Sequence, residues 1–283
     1  MNIAPDAPRR PALRYYGGKW KLAPWIISHF PPHQNYVEPC GGAASVLLQK
    51  PRSPLETYND LDGNVVNFFR VLRDQPDELI RKIRLTPWAR AEYELSLEPC
   101  EDVVERARRF FVASWMSMQG GHYSKTSKTW RAHHDAGSRY VVCADDTRNV
   151  KRDLWRTADR LETVQIDNRD ARDVIQRYDN ADALIYFDPP YLPETRSQGD
   201  RYRLEVSHEF HGQAAELLRA AAGHVIVSGY ACDLYRDLYE AHGWKRVDKE
   251  AQTNSGGKRI ESLWLSPRTV EALAMPEQVV MAL

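Results

Sequence analysis

Five consecutive apolar residues, Ala183-Leu184-Ile185-Tyr186-Phe187, run directly into Asp188 and two prolines. A short apolar run bounded by a turn signal is typical of a buried central strand. The prolines fix φ and have no N–H to donate, so the corner after the strand is stiff and presents carbonyl oxygens. The sequence therefore predicts a buried strand that ends in a rigid, acidic corner.

Strands and helices alternate along most of the remaining chain. Strands are predicted at 36–37, 55–58, 163–166 and 225–228, and helices at 19–30, 43–48, 65–72, 171–178, 213–222 and 234–242. This alternation indicates an α/β fold with a doubly wound, mostly parallel sheet. The last two predicted strands, 245–248 and 260–265, have no helix between them, which indicates a terminal antiparallel hairpin.

The alternation stops between residues 73 and 160, where helical patterns dominate at 76–83, 90–96 and 101–118. A helical block inside an α/β domain indicates an insertion. We therefore expect one main domain made of residues 14–72 and 161–266, interrupted by an inserted helical domain at 73–160. Residues 1–13 are Pro-rich and are expected to form a loose N-terminal arm, and residues 267–283 a weakly ordered C-terminal tail.

The charge of the chain is balanced, with 39 basic and 39 acidic residues. Because a nucleic-acid-binding protein usually has a basic excess, any positive surface on this chain must be local. One basic stretch with interleaved aromatic residues lies at 121–139, and its cationic side chains are Lys125, Lys128, Arg131 and Arg139. These four are candidate nucleic-acid contacts, and a solvated loop is the alternative.

Cysteine usage and hydropathy exclude several classes of protein. The four cysteines are scattered and none forms a Cys-x-x-Cys motif, which argues against a zinc site or a disulfide framework and favours a reducing cytoplasm. His208 and His211 have no nearby cysteine or suitably spaced acid, so we do not expect them to bind metal. No apolar run approaches the length of a membrane span. We expect a cytoplasmic protein with no metal and no membrane contact.

The corner after the predicted strand carries the groups needed to act on an exocyclic amino group of a base. Such an amine is a poor nucleophile because its lone pair is delocalised into the ring. The Asp188 carboxylate and the Pro189 carbonyl could each accept one of its hydrogen atoms and draw the nitrogen towards tetrahedral geometry. Tyr191, after Pro190, could stack on a base lifted from a duplex. The alternative is a Pro-Pro turn with a surface tyrosine.

Other strand ends have the features of a nucleotide-cofactor site. The small residues in Glu38-Pro39-Cys40-Gly41-Gly42 would let a ligand approach the backbone closely. Asp60 ends the second strand, where doubly wound folds often bind ribose hydroxyls. Asp170 follows the third strand, where it could accept a hydrogen bond from an adenine amino group. Each of these two acids could instead be a helix N-cap.

A Gly-Gly bend near the N-terminus, in Tyr15-Tyr16-Gly17-Gly18-Lys19, places an aromatic ring and a lysine at the start of a predicted helix. Lys19 could bind a carboxylate, and an aromatic face could lie near a cation. Such a corner suits a zwitterion, and S-adenosylmethionine carries a carboxylate, an amine, a sulfonium and an adenosine. The alternative is a Gly-Gly turn into a surface helix.

Taken in order, Tyr-x-Gly-Gly-Lys, Glu-Pro-x-x-Gly, Asn59-Asp60 and Asp-Pro-Pro-Tyr resemble the motifs of the DNA adenine-N6 methyltransferase family, in the group whose cofactor motifs precede the catalytic one. The resemblance covers roughly residues 14–267 and extends to bacteriophage and prophage members. It implies a Rossmann-like methyltransferase fold, S-adenosylmethionine as the cofactor, and a flipped adenine in double-stranded DNA as the target. The block at 73–160 would then be a target-recognition domain inserted in the catalytic domain.

The same resemblance implies roles for named residues. The cofactor would contact Tyr15, Lys19, Glu38, Gly41, Asp60, Asp170 and Asp188, and the target base would be held by Asp188, Pro189, Pro190 and Tyr191. The amino nitrogen would attack the methyl group in line, with most of the acceleration coming from positioning and electrostatics. No metal is needed for this reaction, and a monomer is favoured.

Two positions depart from the family pattern, and one expected feature is missing. Cys40 stands where members often have Phe or Tyr, and Ala44 where they have Gly. Because alanine is small, we expect the loop to survive, with weaker cofactor binding. The inserted block lacks the recognition hairpin of GATC-specific members, so no GATC target is assigned. Two alternatives stay open: methylation of another amino group such as cytosine N4, against which Asp188 argues, and a non-catalytic DNA-binding protein.

Overall fold

The computed structural model describes residues 3–117, 130–131, 143–192, 206–252 and 258–275. Within these residues the strands form one sheet in the order β3-β2-β1-β4-β5-β7-β6. The strands are β1 Asn35–Glu38, β2 Leu55–Asn59, β3 Gln165–Asp167, β4 Ala183–Phe187, β5 His224–Gly229, β6 Lys245–Gln252 and β7 Lys258–Leu265. The first five run parallel, and β7 lies antiparallel between β5 and β6.

Helices cover the sheet and fill the insertion. They are α1 Ala23–Ile27, α2 Gly63–Asp74, α3 Pro76–Leu85, α4 Arg90–Leu95, α5 Val103–Met116, α6 Cys143–Leu161, α7 Ala171–Tyr178, α8 His208–Ala220, α9 Asp233–Leu238 and α10 Pro267–Ala274. A short 3-10 helix spans Glu240–His242. In the described part of the chain, no helix combines the length and the apolar character needed to cross a bilayer.

The strand order reverses between β1 and β4, which makes that position the topological switch point of the sheet. Every residue of β1 and of β4 is buried, as expected for parallel strands covered by helices on both faces. The predicted doubly wound sheet and its terminal antiparallel hairpin are therefore confirmed. Ligands of such sheets bind outside the carboxyl ends of the strands at the switch point.

The helices between residues 73 and 160 pack against the main sheet through α2. Phe68 of α2 contacts Phe110 and Phe111 of α5, with ring centroids 6.2 and 6.3 Å apart. On α6, the fully buried Arg160 donates to both oxygens of Glu56 on β2, at 2.5 and 2.8 Å. The insertion and the sheet thus share one core. These contacts do not bear on target recognition, and that role of the insertion stays a prediction.

Two predicted helices differ from the structure. The helix predicted at 19–30 is reduced to Ala23–Ile27, and residues 42–49 form consecutive turns where a helix was predicted at 43–48. The cause of the second difference is Ala44, whose φ of +53° is left-handed and cannot belong to a right-handed helix. The loop nevertheless keeps a hydrogen bond from Leu48 N to Ala44 O at 2.9 Å.

The described parts of both terminal segments are more ordered than predicted. The expected loose arm is wrong for Ala12 and Leu13, which are buried; Trp115 Nε1 donates to Ala12 O at 3.0 Å. The expected weakly ordered tail is wrong for residues 267–274, which form α10. Its N-cap is Ser266, whose side chain accepts a hydrogen bond from Thr269 N at 3.3 Å. A capping serine followed by proline was a readable helix signal.

Candidate active site

The loop after β1 approaches the end of β2 so closely that glycine is required. Gly41 N donates to Asn59 O at 2.7 Å, and a Cβ atom added to Gly41 would overlap the ring of Tyr58. The Tyr58 hydroxyl donates to Gly42 O at 2.7 Å and fixes the next peptide of the loop. The small residues noted in the sequence therefore serve strand-to-loop contact, and they leave backbone exposed to the space in front of the sheet.

Asn59 joins the carboxyl ends of three strands, a role that sequence reasoning missed. Its amide Nδ2 donates to Pro39 O after β1 at 2.8 Å and to Arg169 O after β3 at 3.0 Å. Its Oδ1 accepts from Arg169 N at 2.8 Å. The side chain is fully buried and uses both its donors and its acceptor. A buried asparagine at a strand end was the available signal.

Asp60, the residue after Asn59, braces the glycine loop rather than capping α2. Its Oδ2 accepts from Gly42 N and its Oδ1 from Asp62 N, each at 2.8 Å. The N-cap of α2 is Asp62, whose Oδ1 accepts from Asn64 N at 3.0 Å. Burial raises the pKa of Asp60 to about 6, and the two backbone donors oppose that rise. The carboxylate has further acceptor capacity towards the space in front of the sheet.

Asp170 is a helix N-cap, one of the two roles that the sequence left open, and it also lies at the edge of the cavity. It is the N-cap of α7, accepting from Arg172 N at 2.9 Å, and it borders the same space as Asp60. The Arg172 guanidinium forms an ion pair with it at 2.6 Å, and this hydrogen bonding lowers the pKa of Asp170. Asp170 is therefore an ionised acceptor held in a fixed orientation.

Asp188 lies immediately after β4, where its side chain is largely buried, and forms an ion pair with the buried Lys19. The distance from Lys19 Nζ to Asp188 Oδ1 is 3.1 Å, and Lys19 Nζ also donates to Gly17 O at 3.0 Å. Burial raises the pKa of Asp188, while the charge of Lys19 acts in the opposite direction. The Gly-Gly bend and the predicted strand corner are thus brought into direct contact.

Glu38 is a buried carboxyl group at the end of β1, close to Asp188. Its Oε2 accepts from the Tyr36 hydroxyl and from Leu47 N, each at 3.2 Å. Burial, and then the charge of Asp188, raise the pKa of Glu38 to about 8. At neutral pH this group is mostly protonated and can donate a hydrogen bond.

Tyr191 is buried, and its ring is enclosed on more than one side. Lys19 Nζ lies 4.6 Å from the ring centroid, and the ring of Tyr230 packs edge-on at a centroid distance of 4.6 Å. Its hydroxyl lies 3.0 Å from Ser228 Oγ and 3.2 Å from Glu261 Oε2. The alternative of a surface tyrosine after the two prolines is therefore wrong, and the area available to a stacking base is small in this conformation.

These groups surround a cavity of about 1020 Å³, counted with its open mouth, at the switch point. All seven residues that the resemblance assigns to the cofactor border it, together with Pro190: Tyr15, Lys19, Glu38, Gly41, Asp60, Asp170 and Asp188. Pro189 and Tyr191 are not among the residues that line it. Sequence reasoning missed the apolar wall formed by Leu61, Val206 and Phe210, because isolated apolar residues in a loop or in the first turn of a helix carry no distinguishing pattern.

Three of the four candidate DNA contacts, Lys125, Lys128 and Arg139, lie outside the described residues. Arg131 is half-buried; its N–H donates to Met116 O at 2.7 Å, and Trp88 Nε1 donates to its carbonyl at 3.3 Å. Its neighbour Trp130 forms an antiparallel bridge with Ser117 at the end of α5. In the described ranges, no three His, Cys, Asp or Glu side chains are grouped to hold a metal ion.

The fold and this cavity define a Rossmann-like methyltransferase. The chain belongs to the D12 class of N6 adenine-specific DNA methyltransferases, whose family model matches residues 15–254. It is therefore an enzyme that methylates DNA at adenine N6, and the resemblance drawn from the motifs is confirmed. The family implies a methyl donor and a DNA substrate.

Characterised relatives support the same assignment at low sequence identity. A DNA adenine methylase of Haemophilus influenzae is 22% identical over 87% of this chain and 88% of the relative. The type II methyltransferase M.MjaIII of Methanocaldococcus jannaschii is 22% identical over 90% of this chain and 96% of its own length. The type II methyltransferase M1.LlaDCHI of Lactococcus lactis is 23% identical over 89% of this chain and 93% of its own length.

Proposed function

We propose that the chain transfers a methyl group from S-adenosylmethionine to the N6 amino group of an adenine extruded from double-stranded DNA. The observation that carries this proposal is the convergence of Lys19, Asp60 and Asp188 on one cavity at the switch point of the sheet. Membership of the D12 class supplies the choice of adenine N6. Beyond family membership, we propose the identity of the cofactor, the extrusion of the base and the roles of the residues.

The residues around the cavity fit this cofactor chemically. Carboxylates supply acceptors for ribose hydroxyls and for an ammonium group, and Lys19 supplies a cation for a carboxylate. Leu61, Val206 and Phe210 supply apolar surface for a purine ring. The acid-rich lining suits a ligand that carries more positive than negative charge.

We assign a partner to three groups of the cofactor. Lys19 would hold the carboxylate, Asp60 the ribose hydroxyls and Asp170 the adenine amino group. Bound S-adenosylmethionine supplies a methyl group activated by the positive sulfonium. Gly41 and Tyr15 complete the wall, because the loop backbone is open at the glycine and the aromatic ring offers a face to a cation.

Asp188 is the acceptor that we assign to the target amine. Its carboxylate and the Pro189 carbonyl would each accept one N–H and localise the lone pair of the nitrogen. Pro189 and Pro190 hold these acceptors in place because their φ angles are fixed. The raised pKa of Asp188 also makes the carboxylate a better proton acceptor once the nitrogen has gained a substituent.

The insertion at 73–160 is our candidate for target recognition, since the cofactor and catalytic residues lie outside it. Because the substrate is double-stranded DNA, we place the enzyme in the cytoplasm of a bacterial or phage-infected cell. We propose that it acts as a monomer and without a metal ion. The type II methyltransferases among its relatives suggest a restriction-modification context.

The test is methyl transfer to unmethylated duplex DNA from S-adenosylmethionine with a labelled methyl group, followed by nucleoside analysis. We expect labelled N6-methyladenine from the wild type and none from Asp188→Ala, which should still associate with DNA because duplex affinity comes mainly from phosphate contacts. Asp182→Ala, at the amino end of the same strand, is the control and should remain active.

Each alternative has its own result in this experiment. Label in N4-methylcytosine would identify the other amino group as the target. DNA binding with neither label nor cofactor binding would identify a non-catalytic protein. Near-wild-type labelling by Asp188→Ala would refute the assignment of the amine acceptor.

A further inference from the structure

A buried hydrogen-bonded cluster lies behind the Asp188 corner and joins it to the antiparallel part of the sheet. The Tyr191 hydroxyl is 3.2 Å from Glu261 Oε2 on β7 and 3.0 Å from Ser228 Oγ on β5. A phenol has one proton to give. With the Glu261 carboxylate accepting that proton, Ser228 is the donor in the second bond. Two strands therefore fix the position of the Tyr191 hydroxyl.

The topology explains why a hairpin strand reaches the catalytic edge. β7 runs antiparallel to β5, with Gly229 opposite Ser262, and Glu261 lies one residue beyond that pair. The early residues of β7 are therefore next to the carboxyl ends of β4 and β5, where the cavity opens. The closing hairpin thus contributes a carboxylate to the edge that the parallel strands build.

Burial of the Glu261 carboxylate at this position needs a compensating interaction. It is 1% exposed, and burying a carboxylate is unfavourable without compensation. Arg259 compensates it, with Nε 2.8 Å from Glu261 Oε1, and the same guanidinium lies 5.6 Å from the ring centroid of Tyr230. An apolar residue of similar size would fill the space at lower cost. The acid therefore does more than pack.

The cluster is in contact with the reacting edge through Tyr191. Lys19 Nζ lies 4.6 Å from the centroid of the Tyr191 ring and 3.1 Å from Asp188 Oδ1. A displacement of the Tyr191 hydroxyl moves the ring that supports Lys19. Lys19 in turn sets the position and the charge environment of Asp188.

We propose that Glu261 is a positioning residue for methyl transfer, which fixes the Tyr191 hydroxyl and, through the Tyr191 ring, the Lys19–Asp188 pair. This inference rests on the proposed function, because it takes Asp188 as the acceptor of the target amine. Glu261 itself touches neither the base nor the cofactor in this scheme. Because Lys19 also holds the cofactor carboxylate in the proposed function, losing Glu261 should lower turnover more than it lowers the affinity for the cofactor.

The test is a comparison of four variants: Glu261→Ala, Glu261→Gln, Tyr191→Phe and the double variant Glu261→Ala/Tyr191→Phe. We expect Glu261→Ala to lower kcat about tenfold to a hundredfold, the range that a small misplacement can cost, and to weaken cofactor binding, measured by calorimetry, much less than it lowers kcat. Glu261→Gln should restore most of kcat, since an amide oxygen still accepts from the Tyr191 hydroxyl. The double variant should be no slower than Tyr191→Phe, because both changes break one interaction.

A second measurement reports the hydroxyl directly, without turnover. In protein labelled with fluorotyrosine, the Tyr191 resonance, assigned with Tyr191→Phe, should shift in Glu261→Ala and return towards the wild-type position in Glu261→Gln. Glu250→Ala, an exposed carboxylate on β6 of the same hairpin, is the control and should leave both kcat and the resonance unchanged.

Three results would overturn the proposal. They are a wild-type kcat in Tyr191→Phe, a loss of kcat in Glu261→Ala that adds fully to the loss in Tyr191→Phe, and a Tyr191 fluorine resonance that is unchanged in Glu261→Ala. If Glu261→Ala does not fold, the kcat of Tyr191→Phe and the resonance of Glu261→Gln still decide. An inactive wild type with no cofactor binding would refute the proposed function instead. A Tyr191 resonance that still responds to Glu261 would then show the contact to be structural only.

Discussion

Lys19 and Asp188 form an ion pair at the floor of the cavity, with Nζ 3.1 Å from Oδ1. The Tyr-x-Gly-Gly-Lys bend and the Asp-Pro-Pro-Tyr corner are far apart in sequence, and this contact joins them. Burial favours the neutral form of Asp188, while Lys19 favours the ionised form. Lys19 therefore has two tasks in the proposed reaction: it keeps the amine acceptor charged and it holds the cofactor carboxylate.

We expect Lys19→Met to lower the rate of methyl transfer about tenfold or more at neutral pH, the scale at which preorganised electrostatic groups act. Without the cation, burial and the charge of Glu261 raise the pKa of Asp188, and the hydrogen bond from Tyr191 is left to oppose them. That pKa should therefore rise, and the acidic limb of the pH–rate profile should move to higher pH. Single-turnover rates across pH measure this. Lys21→Met, at an exposed lysine two residues further on, is the control and should behave as the wild type. An acidic limb at the wild-type position in Lys19→Met would contradict the prediction.

Asp60→Ala should weaken cofactor binding by about 1.5–3 kcal/mol, the value of a hydrogen bond to a charged group. A ribose contact is equally present in ground and transition states, so kcat at saturating cofactor should change little. Calorimetry and initial rates together separate the two effects. Asp102→Ala removes the N-cap of α5, away from the cavity. It should lower only the free energy of unfolding, by about 1 kcal/mol, and leave cofactor affinity and kcat unchanged. Unchanged cofactor affinity in Asp60→Ala would return Asp60 to a purely structural role.

Glu38 should make the folded state less stable as the pH rises. Its folded pKa of about 8 lies above its usual value of 4.5, so the native state holds a proton that the unfolded chain releases between those values. Its contribution to stability is complete below about pH 4.5 and is lost as the pH approaches 8, at up to about 1.4 kcal/mol per pH unit. Glu38→Gln should remove that slope. Denaturant unfolding of the wild type and of Glu38→Gln between pH 4.5 and 8 measures this slope. Equal dependence of the unfolding free energy on pH in the two proteins would contradict the prediction.

The sequence predicted those features that depend on local pattern. The apolar run of β4 and the proline corner predicted a buried strand and its end, and both agree with the structure. The acids at the strand ends were correctly expected to meet at one edge, because parallel strands bring their carboxyl ends together. The hairpin followed from the absence of a helix between its strands.

Features that depend on tertiary contact could not be predicted from the sequence. Ala44 adopts a left-handed φ in a loop that Asp60 holds through Gly42 N, and no helical periodicity reveals this. The buried bonds between Arg160 and Glu56 join α6 to β2 across the insertion, and a charged residue in an amphipathic helix carries no sign that it is buried. Glu261 likewise resembles an ordinary polar residue of an edge hairpin.

The basic stretch at 121–139 is expected to determine the DNA sequence that is recognised and to increase the affinity for DNA. Its described part, Trp130 and Arg131, is anchored by backbone bonds to Ser117 and Met116 at the end of α5. Arg131 therefore extends from a fixed backbone position, which suits a residue that pairs bidentately with guanine in the major groove. Arg131→Ala or Arg139→Ala should relax specificity at one position of the target, by about 1–3 kcal/mol.

Lys125→Ala and Lys128→Ala should behave differently, because phosphate contacts carry no sequence information. Binding to all sequences should weaken, and the dependence of affinity on salt should become shallower by about one ion per lysine. Methylation profiling of the four single variants, with direct reading of modified adenines, separates the two classes of contact. Arg236→Ala, an exposed arginine on α9 outside the insertion, is the control. Four variants with wild-type activity and an unchanged methylated motif would exclude this stretch from the recognition surface.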